Sequence, residues 1–171
     1  MDNPNRYSLS IKLNKEVKAS FKLSLAHKGR LKHSIDFIIK EGTPIFASAD
    51  GVVVDVKDDS DIGGREKRYD KYGNYIEIKH SNEYSIYEHI KRNGSVVNIG
   101  EKVKEGQLIG YSGNTGWMAN LGPHLHFDVH KYYSNGPEDY KTIPILWKDD
   151  RTKNKLFLSL KEWLSSRLYI K

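Results

Sequence analysis

Turn-forming residues cut this chain into short runs of alternating apolar and polar residues, a spacing that suits strands over most of its length. Tyr7, Leu9, Ile11 and Leu13 alternate with polar neighbours, and Phe21, Leu23 and Leu25 do so again. That two-residue period belongs to half-buried strands, because successive side chains of a strand point to opposite faces. Ile35-Asp36-Phe37-Ile38-Ile39 comes next, then a turn at Glu41-Gly42-Thr43-Pro44, then Ile45-Phe46-Ala47, and then Asp50-Gly51 leading into Val52-Val53-Val54-Asp55-Val56. The runs 75–80 and 84–89 flank Ser81-Asn82-Glu83, a hairpin by length and turn chemistry. Two more short strands are expected within 100–110, and a last core strand over 124–129. Strands joined by Gly, Pro and Asp-Gly turns predict an antiparallel sheet, not βαβ units, so the fold class is mainly β. Residues 57–72 are charged and contain Gly63-Gly64, which reads as a long exposed loop of the kind that borders binding sites. Only the tail changes period: Leu156, Leu160, Leu164 and Leu168 recur at helical spacing beside Trp163 and predict a short amphipathic C-terminal helix.

Composition removes several classes of chemistry. The 171 residues suffice for one domain with its own core. There is no Cys, which excludes thiolate metal sites, cysteine nucleophiles and disulfides, so any metal must rest on His and carboxylates. The net charge of +6 and the pI near 9.3 favour an anionic partner. Lys and Arg are nevertheless interleaved with Asp and Glu, and no RNP sequence, recognition helix or finger spacing points to nucleic acid. No run is long enough to span a membrane, and the charged first twenty residues lack the apolar stretch of a signal peptide.

The histidines carry the chemistry. Seven occur, at 27, 33, 80, 89, 124, 126 and 130. In a strand His124 and His126 project from one face while Leu125 and Phe127 take the other, so two imidazoles share one site. A His-x-His pair alone also describes two hydrogen-bonded histidines without a metal. A catalytic zinc site needs three protein ligands and an open position for water. Asp36 is the candidate carboxylate, because it interrupts an apolar run where an unpaired buried charge would be costly. A salt-bridged or turn-capping Asp is the alternative reading. His80, at a strand end before a turn, is read as structural, and His130, in phase with His126 but at the end of its strand, as solvent-exposed.

Taken in order, His27-Lys28-Gly29, Ser34-Ile35-Asp36-Phe37, Gly42-Thr43-Pro44-Ile45, Tyr87-Glu88-His89, Gly106-Gln107-Leu108-Ile109-Gly110, Gly113-Asn114-Thr115-Gly116 and Gly122-Pro123-His124-Leu125-His126-Phe127 resemble the lysostaphin/LytM-type zinc metallopeptidases. The resemblance covers roughly residues 27–130. It implies a small antiparallel sheet with a substrate groove, and one zinc ion bound by His27, Asp36 and His126. His124 and His89 are then the catalytic histidines that do not bind metal. His124 is expected to take a proton from water and pass it to the leaving amine. His89 is expected to stabilise the oxyanion or share that transfer. Many members have the first His four residues before the Asp; that place is Lys32 here, with His33 as the rival of His27. The link 116–122 is longer than the family's usual one, which bears on substrate contacts. On this reading 1–26 are lead-in strands, 27–150 the metallopeptidase core and 151–171 a helical tail of a single domain.

The substrate implied by the resemblance is the peptide part of peptidoglycan, cut at a cross-link or stem peptide, and it implies a cell-envelope or secreted protein. Two rivals remain open at the level of sequence. One is a non-catalytic relative that binds the wall and activates another hydrolase, which would be expected to lack ligands. The other is a phosphocarrier domain with paired histidines, which would need neither Asp36 nor tight metal.

Overall fold

The computed structural model describes residues 6–12, 18–20, 27–117, 122–133 and 139–149. Phe21, Leu23 and Leu25 and the expected C-terminal helix lie outside them. The described part is mainly antiparallel β, as the turn spacing predicts, with two short 3-10 segments at Gly29–Leu31 and Lys67–Tyr72.

Among the described residues thirteen strands follow one another. They are β1 (Lys18–Ser20), β2 (Ile35–Ile38), β3 (Pro44–Phe46), β4 (Gly51–Lys57), β5 (Gly63–Gly64), β6 (Tyr75–His80), β7 (Glu83–Glu88), β8 (Ile90–Ser95), β9 (Lys102–Val103), β10 (Leu108–Ser112), β11 (Gly116–Trp117), β12 (His124–Tyr132) and β13 (Tyr140–Thr142). The main sheet has eight strands in the order β1-β2-β12-β7-β6-β4-β9, with β13 also paired to β12. The β6–β7 hairpin forms as predicted, but its turn is tighter: Glu83, expected in the turn, opens β7 and pairs with His80. Strand β12 is the longest: β2 and β13 share one of its edges while β7 takes the other.

Alternation along β12 divides the sheet into two chemical faces. Leu125, Phe127 and Val129 are fully buried and meet Phe37 and Ile35 on β2, Tyr87 on β7 and Ile76 and Ile78 on β6. Ile45, Ile90 and Ile109 from a second sheet, β3-β10-β8, join the same core. Burial of these side chains supplies the main driving force, at about 1.5–3 kcal/mol for each large apolar group. Tyr7 and Ile11 are also buried there, and Tyr7 bridges to Trp147 while its hydroxyl donates to Glu83 at 2.8 Å.

The segment 57–72 is more ordered than a bare loop. Gly63-Gly64 pairs in parallel with Gly116-Trp117, and the 3-10 segment Lys67–Tyr72 packs beside that pair. The close approach explains Gly116, whose φ is +80° and where a Cβ would meet Gly73 Cα at 2.5 Å. Gly100 has a similar φ of +87° but open space around it. Gly100→Ala should therefore lose only the left-handed backbone preference, about 1–2 kcal/mol. Gly116→Ala should lose that and a further 1–3 kcal/mol, roughly the range for overpacking. Urea unfolding of both variants checks the difference; equal losses would show that the contact of Gly116 with Gly73 is not tight.

Candidate metal centre

The polar face of the main sheet is built by register. On β12, His126 lies opposite Asp36 of β2 on one side and Glu88 of β7 on the other, and His124 lies opposite Ile38. Directly opposed residues point the same way, so His124, His126, Asp36 and Glu88 share one face. His27 reaches this face from the segment just before the first 3-10 turn.

Three donor atoms converge there. His27 Nε2 lies 3.1 Å from Asp36 Oδ1 and 3.3 Å from His126 Nδ1, and His126 Nδ1 lies 2.9 Å from the same carboxylate oxygen. Donors on a tetrahedron with bonds of about 2.0–2.1 Å are separated by about 3.3 Å, so these spacings fit zinc held by two imidazoles and one carboxylate. Among the described residues this is the one His, Asp and Glu group with metal-ligand geometry. The three side chains are 1%, 8% and 7% exposed, which leaves little solvent to satisfy them. Burial alone would raise Asp36, yet hydrogen bonds and charge from His126 and His27 hold it well below the usual carboxylate range. Burial likewise disfavours charge on His126, but Asp128 and Asp36 push it well above its ordinary value. The site therefore favours positive charge between its ligands. His33 is not in this group; its backbone N–H donates to Thr142 Oγ1 at 3.1 Å.

His89 and His124 stand beside the three donors, their ring centroids 4.4 Å apart. His89 ends the hairpin with φ of 65°, an uncommon conformation for a residue with a side chain. Its Nδ1 lies 2.7 Å from the Thr115 carbonyl, and His124 Nδ1 lies 3.0 Å from the Gly122 carbonyl. A carbonyl can only accept, so Nδ1 carries the proton in both rings and Nε2 keeps its lone pair. Burial first, and then the neighbouring histidines, lower His89 to about 3, and burial also lowers His124. Both rings are thus neutral near pH 7, with Nε2 free to accept a hydrogen bond. Asn74 braces this corner: it is fully buried, its side-chain amide donates to the Ser60 carbonyl at 2.7 Å, and its backbone carbonyl accepts from His89 N–H at 2.8 Å.

A groove of about 830 Å³ opens over these residues, with Asp36, Glu88, His89, His124 and His126 in its lining. Lys67, Arg68, Asp70 and Lys71 from the 3-10 segment and Trp117 from β11 complete one side, so segment 57–72 borders the site as expected. Tyr75 and Tyr140 also line it.

His130 is a correction. It is 1% exposed, not at a solvated strand end, because β12 runs on to Tyr132 and β13 covers its edge. Its Nδ1 lies 2.8 Å from Asp128 Oδ1 and its Nε2 3.0 Å from Glu77 Oε1, and Tyr132 donates its hydroxyl to Glu77 at 2.6 Å. The phase of His130 with His124 and His126 was legible in the sequence; its burial was not, because the last core strand was expected to end at Val129 and instead runs on to Tyr132. His80 is structural as expected, its Nδ1–H donating to the Asp50 carbonyl at 2.7 Å and its Nε2 accepting from Ser85 at 2.8 Å.

The chain is also similar to known proteins. A family profile described as Peptidase family M23 matches residues 30–139, a span that holds Asp36, His89, His124 and His126 and begins just after His27. The chain is 38% identical over 149 residues to an uncharacterized metalloprotease of Buchnera aphidicola, covering 85% of this chain and 32% of that protein. It is 40% identical over 105 residues to the peptidoglycan DD-endopeptidase ShyC of Vibrio cholerae, covering 60% of this chain and 20% of that one. The chain thus spans a third or less of the length of these curated relatives. Among solved structures, a zinc-containing peptidase from Vibrio cholerae superimposes with a TM-score of 0.50 at 29% identity, over 72% of this chain and 36% of that one.

The cluster around His130 gives the fold a pH signature. Burial lowers the imidazole, but hydrogen bonds and charge from Asp128 and Glu77 outweigh it and raise His130 from 6.5 to about 9. A group raised in the folded state contributes stability that is complete below its unfolded value and is lost as pH rises through its folded one. Unfolding free energy of the metal-free protein should thus fall between pH 6.5 and 9, by up to about 3 kcal/mol at 1.36 kcal/mol per unit. In His130→Gln this contribution should disappear while the one from His126, which is also raised, remains; an unchanged slope would assign the whole alkaline loss to other groups.

Proposed function

This chain belongs to peptidase family M23, and we propose that it is a zinc-dependent endopeptidase that hydrolyses an amide bond in the cross-links or stem peptides of peptidoglycan. The observation that carries this reading is the convergence of His27 Nε2, Asp36 Oδ1 and His126 Nδ1 on one point beside two histidines of fixed tautomer. The named activity of a 40% identical relative supports the substrate class, and the basic rim of the groove suits an anionic wall. Such a substrate assigns the site of action to the cell envelope or outside the cell. Among the described residues no helix is long and apolar enough to cross a membrane.

His27, Asp36 and His126 hold the ion. A zinc ion bound by two neutral imidazoles and one carboxylate supplies a Lewis acid that polarises a carbonyl and acidifies water. The remaining work falls to the other residues. His124, one strand step from His126 and with Nε2 unprotonated, accepts the proton of the attacking water and returns it to the leaving amine. His89 has the same tautomer, but burial lowers it to about 3, so its Nε2 accepts a hydrogen bond that orients the water and leaves the proton transfer to His124. It could donate to an oxyanion only after taking up a proton. The carbonyls of Thr115 and Gly122 keep both rings turned for this work without the cost of ordering them during reaction. A relative that only binds the wall need not keep these five groups together, and here they remain in contact around one groove.

Zinc content and hydrolysis of purified peptidoglycan test the reading together. The parent protein should hold about one zinc per chain, a stoichiometry that follows from a single three-ligand site. His126→Ala should lose the metal and the activity. His124→Ala should keep the metal and lose about 10²-fold or more in kcat/KM, the usual range for a general base. A parent that takes up no zinc on reconstitution would sink the mechanism. One that binds zinc and leaves wall peptides intact would sink the substrate.

A further inference from the structure

Resting on that assignment of the ligands, the polar file of β12 points to a residue that the resemblance does not assign. If His126 binds metal through Nδ1, that atom must offer its lone pair, and the ring's proton must sit on Nε2. His126 Nε2 is buried and makes no hydrogen bond among the described residues. The charged oxygen facing it is Asp128 Oδ2, at 3.5 Å. Asp128 is itself 1% exposed and is held from behind. Its Oδ1 accepts from His130 Nδ1–H at 2.8 Å, its Oδ2 has Ser34 Oγ at 3.4 Å, and His130 Nε2 is anchored to Glu77 at 3.0 Å. The His130 ring is fixed in turn by Tyr84 stacked on it, with centroids 5.8 Å apart and planes at 11°, and by Tyr140 at 4.8 Å.

We propose that Asp128 is a positioning residue for the metal ligand His126: it accepts the Nε2–H of that ring, fixes the tautomer that turns Nδ1 toward His27 and Asp36, and is held in place by His130, Glu77 and Tyr132. A buried carboxylate is costly unless its oxygens are satisfied, and this one gains its partners from the same face of the sheet that supplies the ligands. Such outer carboxylates orient metal-bound imidazoles and contribute to affinity without touching the ion.

The test is metal affinity, measured on the full chain by zinc competition against a chromophoric chelator, with the visible spectrum of the cobalt-loaded protein as a second readout. Asp128→Ala should weaken zinc binding about 10–100-fold, the range for loss of such a partner. Asp128→Asn retains an oxygen acceptor and should recover part of that loss, staying about threefold or more below the parent because the charge is gone. The cobalt spectrum should shift in both. A merely structural residue would lower the unfolding midpoint of the metal-free protein and leave the affinity alone, so affinities within about twofold of the parent in the folded variants overturn the proposal. If Asp128→Ala fails to fold, Asp128→Asn decides by the same criterion. A parent that binds no zinc would overturn the metal reading and this one with it, whereas a parent that binds zinc but cuts no wall peptide leaves the affinity comparison decisive.

Discussion

The pairing of β12 with β2 is the constraint on which the rest of the site depends. It puts His126 opposite Asp36 and, through strict alternation, sends Leu125, Phe127 and Val129 into the apolar core. A slip of one residue would exchange the two faces, burying imidazoles in hydrocarbon and turning the core outward. The hydrophobic effect that stabilises the sheet therefore also fixes the ligand geometry. With β7 on the other edge of β12, the same register brings Glu88 beside His126 and ends the hairpin at His89.

Two kinds of support then act on the histidines. His89 and His124 donate through Nδ1 to backbone carbonyls, which cannot donate in return and so leave each ring one tautomer. His126 and His130 face carboxylates instead, which favour the charged ring or, at a metal ligand, a polarised N–H. This contrast explains why burial lowers His89 and His124 while His126 and His130 are raised in an equally dry setting. The neighbour's charge decides, not the depth of burial.

Much of this was legible in the sequence. The Gly, Pro and Asp-Gly turns marked the strands, and the period of two put His124 and His126 on one side. The buried Asp36 was visible as a polar interruption of an apolar run. What was not legible depended on strand partners distant in sequence. His130 looked exposed because its burial comes from β13 and from Glu77, Tyr84 and Tyr140, none of which sequence spacing connects to it. The choice of His27 over His33 was equally a matter of tertiary approach, since neither has strand periodicity relative to Asp36. The resemblance favoured His27; the converging distances give an independent reason.

The polar face of β12 carries His124, His126, Asp128 and His130 in succession, all of them buried. A file of buried titratable groups is ordinarily a liability, because each unpaired member loses its hydration without return. Here the members pair along and across the strands, Asp36 with His126 and His27, and Asp128 with His130, which in turn meets Glu77. The residual mismatch sits at one end, where three lone-pair donors crowd a single point and protons alone satisfy them poorly. A divalent cation would satisfy all three at once. The sheet thus concentrates its unmet electrostatic demand at the floor of the groove, where a metal can enter.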